Sequence, residues 1–154
     1  MLKSFGLTGR NDYKVDAKGR INLPPRMRKI LAPETYDEVV ISMGSKGHLS
    51  VFNKDYWVGT IQQNIIDQVD NVENQENWDA IQRAIHRLSE NSHMSTVDSQ
   101  GRINVPGWLL EKAGITKEAI VVGAVDRVSV WAPERYGAWL DKEEDDSSLT
   151  GIYI

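Results

Sequence analysis

The sequence predicts an α+β fold in which two copies of one small hairpin module interlock within a single chain, with amphipathic helices between and after them. Three observations predict it. Asp16-Ala-Lys-Gly-Arg-Ile-Asn-Leu-Pro24 recurs as Asp98-Ser-Gln-Gly-Arg-Ile-Asn-Val-Pro106, with Asp, Gly, Arg, Ile, Asn and Pro coinciding at a constant offset of 82. The flanks of both segments alternate apolar and polar residues, as half-buried strands do. The stretch between the copies carries apolar residues at helical spacing instead.

The elements follow in order. Tyr13 and Val15 alternate with polar neighbours and read as a strand. Asp16 to Arg20 is a turn, with Gly19 free to take positive φ, and Gly101 holds the same place in the second copy. Ile21 and Leu23 resume the alternation. Pro24-Pro25 suits a helix start, because a proline at the first helical position sacrifices no hydrogen bond; that helix runs to about Leu31. In the second copy Pro106 opens the helix, and Gly114 followed by Ile115 closes it as a C-terminal cap. Two further strands follow in each copy. In the second they are 119–124 and 128–131, turning at Val125-Asp126-Arg127; in the first, 42–48 makes a longer connection. The correspondence continues through Val39-Val40 with Val121-Val122. After a slip of three residues, Leu49-Ser-Val-Phe52 matches Val128-Ser-Val-Trp131, and Tyr56-Trp57 falls near Arg135-Tyr136. Asn53 and Pro133 begin the next helices. Between the copies, Trp57, Ile61, Ile65 and Val69 share one helical face, and Trp78, Ile81, Ile85 and Leu88 share another. They are packing helices or an oligomer seam.

The expected organisation is a first module over 8–53, a helical connection over 54–92, a second module over 93–131, and a C-terminal helix with an acidic tail over 132–154. A module of about 50 residues buries too little surface to be secure alone and leaves strand edges unpaired. The two copies are therefore expected to close their hairpins around one shared core. Residual edges favour self-association. The polar, acidic stretch 141–148 reads as a mobile tail, and 149–154 is apolar, with docking on a neighbour as one use for it.

Composition narrows the function. The chain has 154 residues and no cysteine, which excludes a disulfide framework and Cys-ligated zinc. It has no apolar run of the roughly 18–20 residues that span a membrane, and its start lacks the long apolar core of a secretion signal, so it reads as cytoplasmic. The total charge is −4, but it is unevenly spread. Within 1–31, Lys3, Arg10, Lys14, Lys18, Arg20, Arg26, Arg28 and Lys29 face only Asp12 and Asp16, an excess of six positive charges that leaves −10 for the rest. Such asymmetry suggests a basic face on an acidic body.

The doubled Asp-x-x-Gly-Arg, each copy followed by apolar-Pro and a short helix, resembles the MraZ family. Residues 8–20 look like that family's opening strand and first signature, 98–115 like its second, and 121–131 like its closing hairpin; the likeness covers about 5–140. One signature alone is weak, since Asp, Gly and Arg are common in turns. Two in the right order with the right flanks are specific. The resemblance implies a tandem pair of swapped-hairpin, AbrB-like β-barrel modules and a ring-shaped homo-oligomer. It implies a nucleoid-associated bacterial transcriptional regulator of the division and cell-wall gene cluster, acting on double-stranded DNA at short direct repeats upstream of its own operon. It also implies DNA contact by Arg20, Arg102 and Lys18.

The chemistry agrees with that implication. Arginine offers a planar fork of donors for phosphate or for guanine O6 and N7, and lysine a point charge for phosphate. A β-ribbon or its turn fits the major groove. Lys14 and Arg10 are further expected contacts, with Arg26, Arg28 and Lys29 as weaker ones. Asp16 and Asp98 read as structural, capping the turn or pairing with Arg20 or Arg102, because a carboxylate repels phosphate. The copies differ: Gln100 stands where the first has Lys18, and Trp108-Leu-Leu-Glu-Lys stands against Arg26-Met-Arg-Lys. The first copy is therefore the expected principal grip, and the second, which keeps Arg102 but loses the lysine, is expected to serve the fold and the ring more than the DNA.

No enzyme signature is present. His48, His86 and His93 lack metal-ligand spacing, Gly44-Ser-Lys-Gly47 is too short for a phosphate loop, and no nucleophile motif occurs. No cofactor, metal, membrane or small-molecule substrate is expected. The rival reading is a protein-binding, antitoxin-like module, since swapped-hairpin proteins also serve that role.

Overall fold

A computed structural model describes residues 6–142. The stretch from 143, with most of the acidic tail and all of the apolar end, lies outside the described residues. The first copy runs β1 (Arg10–Lys14), β2 (Arg20–Asn22), α1 (Pro25–Leu31), β3 (Glu38–Met43) and β4 (Leu49–Asn53). A short helix α2 (Lys54–Tyr56) continues through a π-helical stretch, Trp57–Gln62, into α3 (Gln63–Asp70), and α4 (Gln75–Glu90) returns. The second copy repeats the order as β5 (Ser92–Thr96), β6 (Arg102–Asn104), α5 (Gly107–Ala113), β7 (Glu118–Gly123) and β8 (Val128–Trp131), closed by α6 (Pro133–Leu140).

Local chemistry sets the boundaries. Pro25 takes the first position of α1, after Pro24 at the cap. In the second copy Pro106 sits at the cap itself and Gly107 begins α5. Gly114 ends α5 in the left-handed region at φ 67°, and the Ile115 N–H donates to Leu110 O at 2.9 Å. Asn53 caps α2 by accepting from Tyr56 N at 3.0 Å.

The strands form one six-stranded antiparallel sheet, in the order β1-β7-β8-β4-β3-β5, and one two-stranded ribbon, β2-β6. Each copy thus gives its first strand to the other: β1 pairs with β7, and β5 pairs with β3. The hairpins β3-β4 and β7-β8 meet at the β4-β8 seam, where Ser50 faces Ser129. The two copies are related by an approximate twofold axis through that seam and through the Ile21–Ile103 pair of the ribbon. The large sheet is open, with β1 and β5 as its two edges, so the described strands do not close into a hydrogen-bonded barrel.

The period-2 alternation sorts the core into two faces. Val39, Ile41, Leu49, Val51, Val121, Val128 and Val130 point into one main core, against Ile21, Ile103, Leu23 and Val105 and the buried sides of α1 and α5. Val40 and Phe52 point the other way, against Tyr56 and Trp57, with Ile61 and Leu88 packed on them. The helices between the copies therefore cover the outer face of the first hairpin. On the outer face of the second, Trp131 stacks with Trp139 of α6 at 4.8 Å and with His48 at 4.2 Å. Beyond the sheet, α3 and α4 carry no buried residue; Ile65, Ile66, Val69 and Ile85 line an apolar groove between them. No described helix is long and apolar enough to cross a membrane.

Candidate nucleic-acid interface

The two signature turns are built alike. In the first, Asp16 Oδ1 accepts from Lys18 N at 2.9 Å and Arg20 N at 2.8 Å, while Gly19 N donates back to Asp16 O at 3.0 Å. In the second, Asp98 Oδ1 accepts from Gln100 N and Arg102 N, both at 2.9 Å, and Gly101 N donates to Asp98 O at 2.9 Å. The aspartate side chain thus satisfies the turn's amides, as Asx turns do. Gly19 and Gly101 sit at φ 79° and 78°, where an L side chain is strained.

The second carboxylate oxygen holds the arginine. Asp16 Oδ2 accepts from Arg20 Nε at 2.5 Å, and Asp98 Oδ2 from Arg102 Nε at 2.9 Å. Both possibilities for the aspartates, cap and ion-pair partner, are therefore realised at once. The Arg20 amide, and then its guanidinium and the Lys18 amide, hold the Asp16 carboxyl below its ordinary range despite some desolvation. For Asp98, burial pushes the pKa upward most strongly, but the combined bonds from Arg102 and Gln100 outweigh it and the net shift is downward. Fixing Nε orients the guanidinium and leaves its two terminal nitrogens for another acceptor.

The ribbon gathers the turns. Arg20 pairs with Asn104, Ile21 with Ile103, and Asn22 with Arg102. Residues alternate faces along a strand, so both isoleucines enter the core while Arg20, Asn22, Arg102 and Asn104 share the outer face. Cross-strand neighbours at such positions stand roughly 5 Å apart. Arg102 Nη1 comes to 4.0 Å from Asp16 Oδ2, so both signature arginines converge on that carboxylate. Two more bonds tie each copy to the other's turn: Leu23 N donates to Gly101 O, and Val105 N to Gly19 O, each at 2.9 Å.

The remaining expected residues lie at varying distances. Lys18 is exposed at the tip of the first turn, and its side chain has no bond to any described residue. Lys14 is exposed at the end of β1 that leads into this turn. Arg10 lies at the other end of β1, about 13 Å away by strand rise, where it pairs with Asp12 at 3.0 Å and lies over the Tyr136 ring at 5.6 Å. It is not brought to the turns. Pro24 and Pro106 mark where the chain leaves the ribbon for α1 and α5.

Two features escaped the sequence reading. Asn22 and Asn104 join the arginines on the outer face, although their coincidence at the 82-residue offset was visible. Arg28, which the sequence assigns to the first copy, reaches the second turn: a Cβ on Gly101 would fall 2.6 Å from Arg28 Nη1. Among the described residues no cluster of three or more His, Cys, Asp or Glu could hold a metal ion.

Fold and site together define a class: two-copy α+β proteins whose paired Asp-x-x-Gly-Arg turns share one ribbon and present their arginines on its outer face. The family described as "MraZ protein, putative antitoxin-like" matches residues 7–76 and 88–150, one stretch for each copy. Similar proteins include the transcriptional regulator MraZ of Lachnoclostridium phytofermentans, 30% identical over 83% of this chain and 82% of its own length. That of Saccharopolyspora erythraea is 30% identical over 90% and 89%, and that of Chlorobium phaeobacteroides 28% identical over 97% and 99%. The chain belongs to the MraZ family.

Proposed function

We propose that the chain is a transcriptional regulator that binds double-stranded DNA through the outer face of the β2-β6 ribbon. The observation that carries this reading is the convergence of Arg20 and Arg102, each oriented by its own aspartate, beside Lys18, which has no partner among the described residues. Oriented guanidinium forks suit guanine or phosphate, and a two-stranded ribbon fits the major groove. The names of the relatives support regulation of transcription as the role. In this reading the chain works in the cytoplasm at the nucleoid and has no catalytic activity.

The finer reading is a ring-like homo-oligomer on short direct repeats upstream of the operon, within the division and cell-wall gene cluster. One ribbon makes few phosphate contacts, so affinity from a single subunit is modest. Joining subunits makes later contacts intramolecular and raises the effective concentration. The exposed groove between α3 and α4 supports self-association. The exchange of β1 and β5 between the copies supports the swapped-hairpin description of the two modules, 8–53 and 93–131.

Gel shifts on the gene's own upstream region test the assignment. Arg20→Ala is expected to abolish specific binding, and Lys29→Ala to weaken it slightly. Wild-type affinity in Arg20→Ala would remove that turn from the interface. The antitoxin-like description of the family keeps a second reading in play. Copurification with one stoichiometric protein partner, without salt-sensitive DNA binding, would favour it.

A further inference from the structure

The approximate twofold relation makes every position of one copy comparable with a position of the other, and it exposes an exchange of charge. Over Gly19, the nearest side chain is Leu110, whose Cδ1 would lie 3.4 Å from an added Cβ. Over Gly101, the equivalent place is held by Arg28, with Nη1, Cδ and Cζ at 2.6, 3.1 and 3.3 Å from an added Cβ. Arg28 and Leu110 are themselves partners at the 82-residue offset, as are Lys18 and Gln100. The first turn thus has a lysine on the turn and a leucine above it. The second has a glutamine on the turn and an arginine above it.

We propose that Arg28 is a DNA-contacting residue of the second turn, supplying from the first copy the cation that Gln100 does not. This rests on the DNA-binding reading above. Several observations support it. The Arg28 side chain has no ion pair or hydrogen bond with any described residue, so no described carboxylate neutralises its charge. Arg28 is half-buried, with its guanidinium lying over Gly101. Contact with a glycine costs a guanidinium no hydrogen-bonding capacity, and all five donors remain for phosphate. Arg102, oriented by Asp98, belongs to the same turn. Each turn then carries two cations, and the second copy grips DNA as the first does, contrary to the division of labour its own sequence suggests.

The pseudo-symmetry supplies the variants. Arg28→Leu reproduces the arrangement over Gly19, which already packs with Leu110. Gln100→Lys reproduces Lys18. The full-length chain, Arg28→Leu, the double variant Arg28→Leu/Gln100→Lys, and Arg20→Ala as reference are titrated against a labelled duplex of the upstream region over a salt series, with thermal melts of each. Arg28→Leu is expected to melt like the parent, to bind about tenfold more weakly, and to show a shallower salt dependence by about one counterion per subunit engaged. The double variant is expected to regain most of the lost affinity and slope. Parent-like affinity and slope in Arg28→Leu overturn the proposal, as does a double variant that folds and recovers nothing. Should Arg28→Leu melt early, Arg28→Gln removes the charge with a polar side chain, and the same two outcomes decide. If the parent chain shows no salt-dependent binding while folded, the DNA reading itself falls, and that result is distinct from a parent that binds and an Arg28 variant that binds equally well.

Discussion

Arg20 stands directly opposite Asn104 across the ribbon, and Arg102 opposite Asn22, so each signature arginine is flanked by an asparagine from the other copy. Arginine matches guanine O6 and N7, and asparagine matches adenine N6 and N7. Replacing both asparagines with alanine is expected to leave non-specific binding intact and to flatten discrimination at positions next to the arginine-read bases, at roughly 1–3 kcal/mol per lost bidentate contact. Competition with single-base operator variants measures this. Equal discrimination in the double variant would confine base reading to the arginines.

The two turn glycines are expected to differ in cost. Gly19→Ala strains a left-handed residue, at roughly 1–3 kcal/mol, and puts a Cβ 2.7 Å from the backbone carbonyl oxygen of Val105, a residue whose own N–H is bonded to Gly19 O. Gly101→Ala carries the same backbone strain but meets the end of the Arg28 side chain, which can swing away. Denaturant unfolding is expected to rank Gly19→Ala as the more destabilised. The reverse order would mean that Arg28 is held as firmly as backbone.

Acid is expected to loosen the turns. In the folded chain Asp16 and Asp98 have pKa values below their ordinary 3.8. The unfolded chain therefore takes up protons first, so this contribution is complete above about pH 4 and is lost as pH falls through the lower folded values. Asp16→Asn and Asp98→Asn are expected to lower Tm at neutral pH and to flatten its decline in acid. An acid limb unchanged in both variants would assign the loss to other carboxylates.

His48 gives a separate pH response. Burial, and then the charge of Arg127, lower its pKa below the ordinary 6.5, and its Nδ1 is buried with no hydrogen-bond partner among the described residues. A depressed folded pKa means that the contribution is full above about 6.5 and declines as pH falls towards the folded value. His48→Phe keeps a ring on Trp131 and removes the titration. Its Tm is expected to vary less than the parent's between about pH 7.5 and 5.5; an identical drop in both proteins would clear His48 of the effect.

Much of the fold was legible because it rests on short-range rules. The Asp-x-x-Gly-Arg turns, the proline-started helices, the Gly114 cap and the strand alternation depend on neighbours within a few residues, and the structure places them within a residue or so of expectation. The strand over 119–124 appears as Glu118–Gly123, for example. Less legible was the helical connection, where Trp57 and Ile61 pack on the first hairpin through a π-helical stretch while Ile65, Val69 and Ile85 stay at the groove. Apolar spacing marks a helix face but does not say what covers it.

The sequence by itself determined that there are two copies, what each contains, and that each signature sets an aspartate four residues before an arginine. Tertiary structure alone decided which copy serves which turn. The exchange of β1 and β5 and the pairing of β2 with β6 join residues that stand from 50 (Ser42 and Ser92) to 112 (Arg10 and Val122) positions apart in the chain, and linear charge counts cannot follow such pairings. Arg28 counts with the first copy in the chain and with the second turn in space, because helix α1 leaves the ribbon on the side where its partner strand begins.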